Sequence, residues 1–331
     1  MTKVLTIGSV CKDMFFPTGE GSVKETPDDL ESQKKIVFEL GAKYHIKERY
    51  ESLGGISINV AAGLSKLGEN VSCYTVIGDD EIGKWIIGEL KKANIYLLDD
   101  CIEKNCPSDL SCILVDEKTA DRVIFSNQIA NQKLVIKKEK IGHPDWIFIG
   151  DLAGNWQQNI ETVIDFAKKT NTPVVFNPRQ QNIHDDPKKI IQAIADCEIL
   201  FLNKDEAIEI IRNYESHTVA ELLNEEEHLA KVFYRMGAKI VAITDGARGA
   251  WAYDGIAVLH VDAAMRKAVD TTGAGDAFTS GFFAAYLKGK NLKMALKWGV
   301  ANGSSSVMRY GGQAGLLSQD EIVKAIDMFA A

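Results

Sequence analysis

The 331-residue sequence has little of several features that place a protein in a specialised class. It has 7 prolines and 6 cysteines, and no two cysteines form a C-x-x-C pair. Neither the cysteines nor the six histidines show metal-ligand spacing. No apolar run reaches the roughly 18 residues that a membrane-spanning helix needs. A disulfide scaffold, a zinc site, a thioredoxin motif and a transmembrane helix are therefore excluded.

Excess positive charge is also missing, because the formal net charge is −8 at pH 7. Such a chain repels nucleic acid and anionic membranes, so neither is an expected partner. The short apolar stretch after Met1 is interrupted by Lys12 and Asp13, which makes it too short for a secretory signal. We therefore expect a first β-strand, free thiols and a cytoplasmic location.

Three common ligand or catalytic motifs are absent. Residues 78–84 have Walker A spacing, but Trp85 replaces the magnesium-binding Ser or Thr, and three acids fill the loop. No G-x-G-x-x-G follows the first strand, and no G-x-S-x-G nucleophile elbow occurs. A P-loop, a Rossmann dinucleotide site and an α/β-hydrolase site are not indicated.

The sequence does have β-branched apolar runs that alternate with amphipathic stretches, which is typical of an α/β fold with a mainly parallel sheet. The predicted strands cover 4–7, 72–77, 146–149, 174–176, 198–202 and 240–244. The predicted helices cover 58–67, 82–93, 158–169, 188–195, 205–213, 225–236, 274–288, 292–309 and 319–328.

Two stretches, at about 15–52 and 97–129, break this alternation. Short alternating runs at 111–115 and 122–125 predict hairpin strands within the second stretch. We interpret both stretches as insertions that meet as a small β-layer at one edge of the sheet. The charged segment 20–35 is predicted to be a mobile loop.

The segment Asp270-Thr271-Thr272-Gly273-Ala274-Gly275-Asp276 leads into a strongly apolar helix. Three small residues, Gly273, Ala274 and Gly275, leave the first backbone amides of that helix accessible at its positive end, which predicts an anion site. Asp276 is the next residue, inside the first turn of the helix, where it can accept a proton from a hydroxyl group. A helix N-terminus capped by Asp270 or Thr272 is the structural alternative.

This segment resembles the C-terminal signature of the ribokinase-like sugar kinases, the PfkB carbohydrate kinase family. Other matches follow the family's order: G-G-x-x-x-N at 54–59, an asparagine–proline pair at 177–178, N-x-x-E at 203–206 and a nucleotide-binding turn at 244–249. The resemblance implies one three-layer α/β/α kinase domain over residues 1–331, with a mainly parallel central sheet and a small β-lid built from the two insertions.

The resemblance also implies a role for each matching residue. Catalysis is assigned to Asp276 as general base with Gly273, Ala274 and Gly275 as the anion hole. Acceptor binding is assigned to Asp13, Gly54, Gly55 and Asn59. Nucleotide binding is assigned to Asn177, Asn203, Glu206, Thr244, Gly246, Gly249 and Asn302. Metal binding is assigned to Glu206 for Mg²⁺, and to Asp270 and Thr272 for a monovalent cation, K⁺.

The expected activity is transfer of the γ-phosphoryl group of ATP to a hydroxyl of a sugar or nucleoside. Two alternatives stay open, a kinase of an already phosphorylated sugar and a non-catalytic ligand-binding protein on the same fold. The first alternative needs lysine or arginine side chains in the lid that bind the phosphate already on the sugar. Lys43, Lys47 and Arg49 are available for this role. Exposed lid edges are compatible with a homodimer. The acceptor itself is not determined by the sequence.

Overall fold

Nine strands form the central sheet of this computed structural model, which describes residues 1–26, 34–215, 219–264 and 266–327. In spatial order they are β17-β16-β15-β14-β13-β12-β1-β6-β8, parallel from β15 to β8, with β16 and β17 antiparallel at one edge. Their bounds are β1 Lys3–Ile7, β6 Asn70–Tyr74, β8 Ile95–Leu97, β12 Trp146–Ile149, β13 Val174–Phe176, β14 Ile199–Asn203, β15 Ile240–Thr244, β16 Ala250–Tyr253 and β17 Val258–Val261.

A second, smaller sheet has four strands in the order β11-β10-β2-β5. Their bounds are β2 Cys11–Thr18, β5 Tyr50–Gly54, β10 Leu110–Asp116 and β11 Arg122–Asn127. Two further pairs are β3 Ser22–Glu25 with β4 Lys34–Val37, and β7 Ile77–Gly78 with β9 Ile102–Glu103. Because β2 follows β1 after only three residues, the small sheet is attached directly at the carboxyl end of a central strand.

Helices cover both faces of the central sheet. Their bounds are α1 Ile56–Lys66, α2 Glu81–Lys92, α3 Trp156–Thr170, α4 Gln180–Asp185, α5 Pro187–Ile194, α6 Lys204–Tyr214, α7 Ala220–Leu223, α8 Glu226–Met236, α9 Ala274–Leu287, α10 Leu292–Ser306 and α11 Gln319–Ile326. In the described part of the chain, no helix is both long and apolar enough to cross a membrane.

Two hydrophobic cores lie on opposite faces of the sheet, because successive side chains of a strand point in opposite directions. On β12, Ile147 and Ile149 join one core while Phe148 joins the other. Fully buried strands of this kind are continuous apolar runs, which is why they were recognisable in the sequence. The predicted three-layer α/β/α fold with a mainly parallel sheet is confirmed.

The structure differs from the sequence prediction mainly at the edges of the central sheet and at the ends of helices. Edge strands β8, β16 and β17 and the short helices α4 and α7 were not predicted, and α10 ends at Ser306 rather than at residue 309. The prediction of a loop over 20–35 is wrong for residues 22–25 and 34–35, which lie in the paired strands β3 and β4. Residues 27–33 of that segment, and the predicted end of the last helix at residue 328, lie outside the described residues.

Candidate active site

The carboxyl ends of the parallel strands bring polar residues together at one edge of the central sheet. Ser9 follows β1, Asp151 follows β12, Asn177 follows β13, and Asn203 and Thr244 end β14 and β15. Ligands of open α/β sheets bind at this edge. The N-termini of α1 and α9 meet the same region.

Close packing of α1 against α9 joins the two helices at the site. A Cβ atom on Gly63 would lie 2.1 Å from Oγ of Ser280, so only glycine allows this approach. One turn earlier on each helix, Nδ2 of Asn59 donates to Oδ2 of Asp276 at 2.8 Å. The predicted acceptor-binding residue and the predicted base are therefore direct partners.

The electrostatic surroundings of Asp276 suit a proton acceptor. Removal from solvent raises its pKa to about 7, and the charges of Asp151 and Asp13 act in the same direction. The hydrogen bond from Asn59 and the charge of Arg122 oppose this shift. A carboxyl group whose pKa lies near neutrality can both accept and release a proton at physiological pH.

The N-terminus of α9 has the open geometry that the sequence indicates. Gly273 occupies the N-cap position with φ 74° and ψ 7°, and no described side chain caps this end of the helix. The positive φ favours glycine, and a Cβ atom there would lie 2.5 Å from Cα of Gly312. Bare amides at a helix N-terminus bind anions.

Asp13 lies on β2 and is buried. Burial raises the pKa of its carboxyl group, and Sγ of Cys11 donates to Oδ1 at 3.1 Å. A Cβ atom on Gly54, on the neighbouring strand β5, would lie 2.1 Å from Oδ2 of Asp13. Gly54 is therefore needed to make room for this carboxylate, and Gly55 then starts α1 with φ 99°.

Asp151 is a functional candidate that the sequence analysis missed. Its Oδ1 accepts from the amides of Ser9 at 3.3 Å and Ser57 at 3.4 Å, and its Oδ2 accepts from Oγ of Ser9. Burial raises its pKa. Its position directly after a buried parallel strand was the signal that could have found it.

Two pockets meet at the loop before α9. The smaller, of about 280 Å³, is lined by Asp13, Gly55, Asn59, Asp151 and Asp276, among others. The larger, of about 720 Å³, is lined by Thr244, Gly246, Gly249, Ala274 and Gly275, among others. Thr272 and Gly273 face the smaller pocket while Thr271 faces the larger, so one short loop forms a shared wall.

An ion-pair network supports the turn beside the larger pocket. Nζ of Lys204 lies 2.7 Å from Oε1 of Glu226 and 3.5 Å from Oδ2 of Asp245, and Arg248 contacts both carboxylates. This network joins the start of α6 to the turn at 245–249. It therefore fixes the turn relative to the end of β14.

The N-x-x-E segment forms a capping box at the start of α6. The amide of Glu206 donates to Oδ1 of Asn203, and the amide of Asn203 donates to Oε2 of Glu206, both at 2.9 Å. Burial raises the pKa of Glu206 to about 7, and the negative charge of Asp276 contributes. The segment is thus a helix cap that also lies within electrostatic range of Asp276.

Four residues assigned to nucleotide binding line neither pocket: the capping-box residues Asn203 and Glu206, and also Asn177 and Asn302. Asn177 uses its side chain to donate to the carbonyl of Phe201 at 3.1 Å. Asn302 is fully buried in α10, where it donates to the carbonyl of Ala277 and accepts from the amide of Leu317. The polar atoms of Asn302 thus hold α10 against α9 and the C-terminal segment, and its role in nucleotide binding stays a prediction.

The predicted cation site contains a buried carboxylate that forms no ion pair with any described residue. Asp270 is fully buried and accepts from the amides of Thr272 and Gly311, each at 2.9 Å. Oγ1 of Thr272 is buried without a hydrogen-bond partner among the described residues. An anion without a counter-charge and an unpartnered hydroxyl are features that a bound cation would satisfy.

Arg122 was also missed by the sequence analysis, and no motif marks it. It lies on β11 of the small sheet, and its Nη1 donates to Oγ1 of Thr271 at 2.6 Å. This contact brings a positive charge from the small sheet to the loop that separates the two pockets.

Comparison with known proteins agrees with this geometry. The family model described as pfkB family carbohydrate kinase matches residues 23–319. An ATP-dependent 6-phosphofructokinase from Thermoanaerobacterium thermosaccharolyticum is 27% identical over 290 residues, covering 82% of this chain and 84% of the relative. A nucleoside kinase from Methanocaldococcus jannaschii is 26% identical over 336 residues, covering 99% and 97%.

Among solved structures, a ribokinase from Thermotoga maritima superimposes with a TM-score of 0.76 and 22% identity, covering 99% of this chain and 100% of that one. The family model covers most of the chain, and this match shows the class of protein. The chain belongs to the pfkB family of carbohydrate kinases. It is a kinase of a sugar or nucleoside, and membership of this family implies the use of ATP.

Proposed function

We propose that the chain transfers the γ-phosphoryl group of ATP, bound in the larger pocket, to a hydroxyl group of a sugar or nucleoside in the smaller pocket. The observation that carries this proposal is the shared wall, because Gly275 lines one pocket and the adjacent Asp276 lines the other. A group passing between the pockets must pass the N-terminus of α9.

In this mechanism, Asp276 accepts the proton of the attacking hydroxyl group, and Asn59 holds its carboxylate in position. The bare amides at residues 273–275 stabilise the charge of the transferring phosphoryl group, and Arg122 adds a positive charge from the small sheet. Such preorganised donors act strongly because they need no reorganisation during the reaction. We propose that the small sheet acts as a lid that excludes water.

The test is coupled ADP release with a panel of pentoses, hexoses and nucleosides, each checked for a phosphorylated product by mass spectrometry. We expect turnover with at least one acceptor, and no turnover without acceptor beyond slow ATP hydrolysis. ATP turnover that no acceptor stimulates would contradict the proposal.

All six cysteines are free, which supports a reducing, cytoplasmic environment. The edge strands β5 and β11 of the lid are the surfaces proposed for a homodimer.

Mg²⁺ is proposed as the divalent cofactor, and Glu206 would hold it through water. No cluster of three or more metal-ligating side chains occurs among the described residues, which fits a metal carried mainly by nucleotide phosphates. The ion would neutralise charge on the phosphate oxygens. Glu206 contributes a half-buried carboxylate near Asp276.

Replacing Glu206 by Gln is expected to raise the Mg²⁺ concentration needed for half-maximal rate by about tenfold, as for other residues that hold a metal indirectly. Glutamine keeps the capping box, so the helix start is preserved. The measurement is a Mg²⁺ titration at fixed ATP. Glu321→Gln, in the equivalent capping box of α11, is the matched control. Equal Mg²⁺ dependence in all three proteins would mean that Glu206 is only a cap.

K⁺ is proposed as an activator at Asp270. A large, weakly hydrated cation would satisfy the buried carboxylate and the unpartnered hydroxyl of Thr272, and would stiffen the loop carrying Gly273. We expect the rate in a buffer with a bulky organic counter-ion to rise on addition of KCl, and less with NaCl, at fixed ionic strength. A rate that responds to neither salt would show that Asp270 serves the loop amides alone.

A further inference from the structure

The small pocket is unusually acidic for a site that must hold a sugar. Four carboxylates line it, those of Asp13, Asp109, Asp151 and Asp276. Its other polar lining comes from serine, threonine, asparagine and glutamine side chains and one cysteine, and no lysine, arginine or histidine lines it among the described residues.

Three of these carboxylates, those of Asp13, Asp151 and Asp276, interact electrostatically with one another. Asp109 instead holds the segment 129–131, because it accepts from the amides of Ile129 and Ala130 and from Nδ2 of Asn131. The negative charge of Asp151 acts on both Asp13 and Asp276. A sphere of the pocket's volume, about 280 Å³, is about 8 Å across. Any charged group inside therefore lies within about one Debye length of all three carboxylates.

Two arginines lie close to the pocket, and neither lines it. Arg122 donates to Thr271 on the wall that faces the nucleotide. Arg179 does not itself line the pocket, but its Nη1 donates at 3.0 Å to Oε1 of Gln128, which does, and its positive charge partly offsets the negative charge of Asp151. A second phosphate on the acceptor would enter a negative pocket without the bidentate arginine contacts that phosphate recognition normally uses.

Hydroxyl groups suit the same lining well. Asp151 is fixed by Ser9 and Ser57, and its Oδ2, which accepts only from Oγ of Ser9, keeps further acceptor capacity. Asp13 is held in a similar way by Cys11. Both can accept hydrogen bonds from neighbouring hydroxyls of one polyol.

We propose that the acceptor is a neutral polyol, either a free sugar or the sugar of a nucleoside, and that Asp151 is a specificity-determining residue that rejects acceptors carrying a phosphate. This inference rests on the proposed kinase activity and narrows its substrate class. The same lining that attracts hydroxyl donors repels a second anion, so binding and rejection have one cause.

The experiment first identifies which hydroxyl of each neutral acceptor is phosphorylated, and then compares that acceptor with a monophosphate that leaves this hydroxyl free: ribose with ribose 5-phosphate or ribose 1-phosphate, fructose with fructose 6-phosphate or fructose 1-phosphate, and inosine with inosine 5′- or 3′-monophosphate. We expect kcat/KM of the phosphorylated member to be at least about 10²-fold lower in every pair that is used. Raising ionic strength should reduce this ratio, because salt screens the repulsion. The pairs that react also show whether the acceptor is a free sugar or a nucleoside.

Asp151→Asn is expected to reduce the discrimination about tenfold, mainly through a lower KM for the phosphorylated member. Asp116→Asn is the matched control, because Asp116 is a buried carboxylate that instead holds the Thr119 turn at the end of β10. Arg179→Gln should leave the ratio unchanged. A specific loss of phosphorylated-acceptor activity in that variant would show that Arg179 binds a second phosphate, and would overturn the proposal.

The outcomes separate the inference from the proposed function. Phosphorylated members used as well as their neutral counterparts would overturn the inference and leave the kinase function intact. No ADP release with any acceptor would contradict the proposed function itself. Calorimetric titration of each pair in the presence of ADP then still tests the inference, and it fails if the neutral members do not bind more tightly.

Discussion

Replacing Asp276 by Asn is expected to lower kcat by about 10²- to 10⁴-fold, the range for loss of a positioned base. Asparagine has nearly the same shape and can still accept a hydrogen bond from Asn59, but it cannot take a proton. The thermal midpoint should change little, because no described residue forms an ion pair with Asp276. Steady-state rates with saturating ATP and acceptor provide the measurement.

The pH dependence gives this prediction a second readout. Because the pKa of Asp276 is raised to about 7, its carboxyl is protonated below that pH and cannot act as a base. We expect kcat/KM for the acceptor to fall on the acid side of about pH 7, and this limb should be absent from the residual activity of Asp276→Asn.

Glu206 titrates in the same range, so it must be separated from Asp276. The variant Glu206→Gln should keep the acid limb if Asp276 causes it. Unchanged turnover in Asp276→Asn, or an acid limb that disappears only with Glu206→Gln, would rule out Asp276 as the base.

The buried strands and the loop before α9 could be predicted because their causes are local. An apolar β-branched run must be buried wherever it lies, and Gly273, Ala274 and Gly275 expose backbone amides regardless of the rest of the fold. Edge strands β16 and β17 carry no such continuous run, since their burial alternates or is partial. Their pairing depends on a neighbouring strand that periodicity does not reveal.

The contacts that complete the site depend on residues far apart in the sequence. Asn59 and Asp276 are separated by 217 positions, and Ser9 and Asp151 by 142. Asp151 stands in no motif, and only its place after a buried strand indicates the correct edge of the sheet. Arg122 stands in no motif either, and only the folded chain shows that it contacts Thr271 in the loop between the pockets. The hydrogen bonds of Asn302 to Ala277 and Leu317 are likewise invisible in the sequence, because they join segments that only the fold brings together.

The second large effect is expected for Gly273→Ala. A Cβ atom at residue 273 would lie 2.5 Å from Cα of Gly312, and alanine is disfavoured at φ 74°. The loop must move, which displaces the anion-binding amides from the transferring phosphoryl group. Loss of one such donor costs about 10²- to 10³-fold in kcat, so we expect a decrease of that size.

The free energy of unfolding should also fall, by about 1–3 kcal/mol, as expected for a residue forced into a sparsely populated conformation. Gly88→Ala is the control, because its Cβ would meet no atom within 4 Å in the middle of α2, where alanine favours the helix. Denaturant unfolding and steady-state kinetics of both variants provide the comparison.

Gly275→Ala separates the two effects of the Gly273 substitution. Its added Cβ also meets no atom within 4 Å, so the free energy of unfolding should not fall, yet the methyl group stands at the wall of the larger pocket. We therefore expect a raised KM for ATP in a normally stable protein. If Gly273→Ala keeps full turnover while losing stability, the loop is a structural turn and the phosphoryl group is stabilised elsewhere.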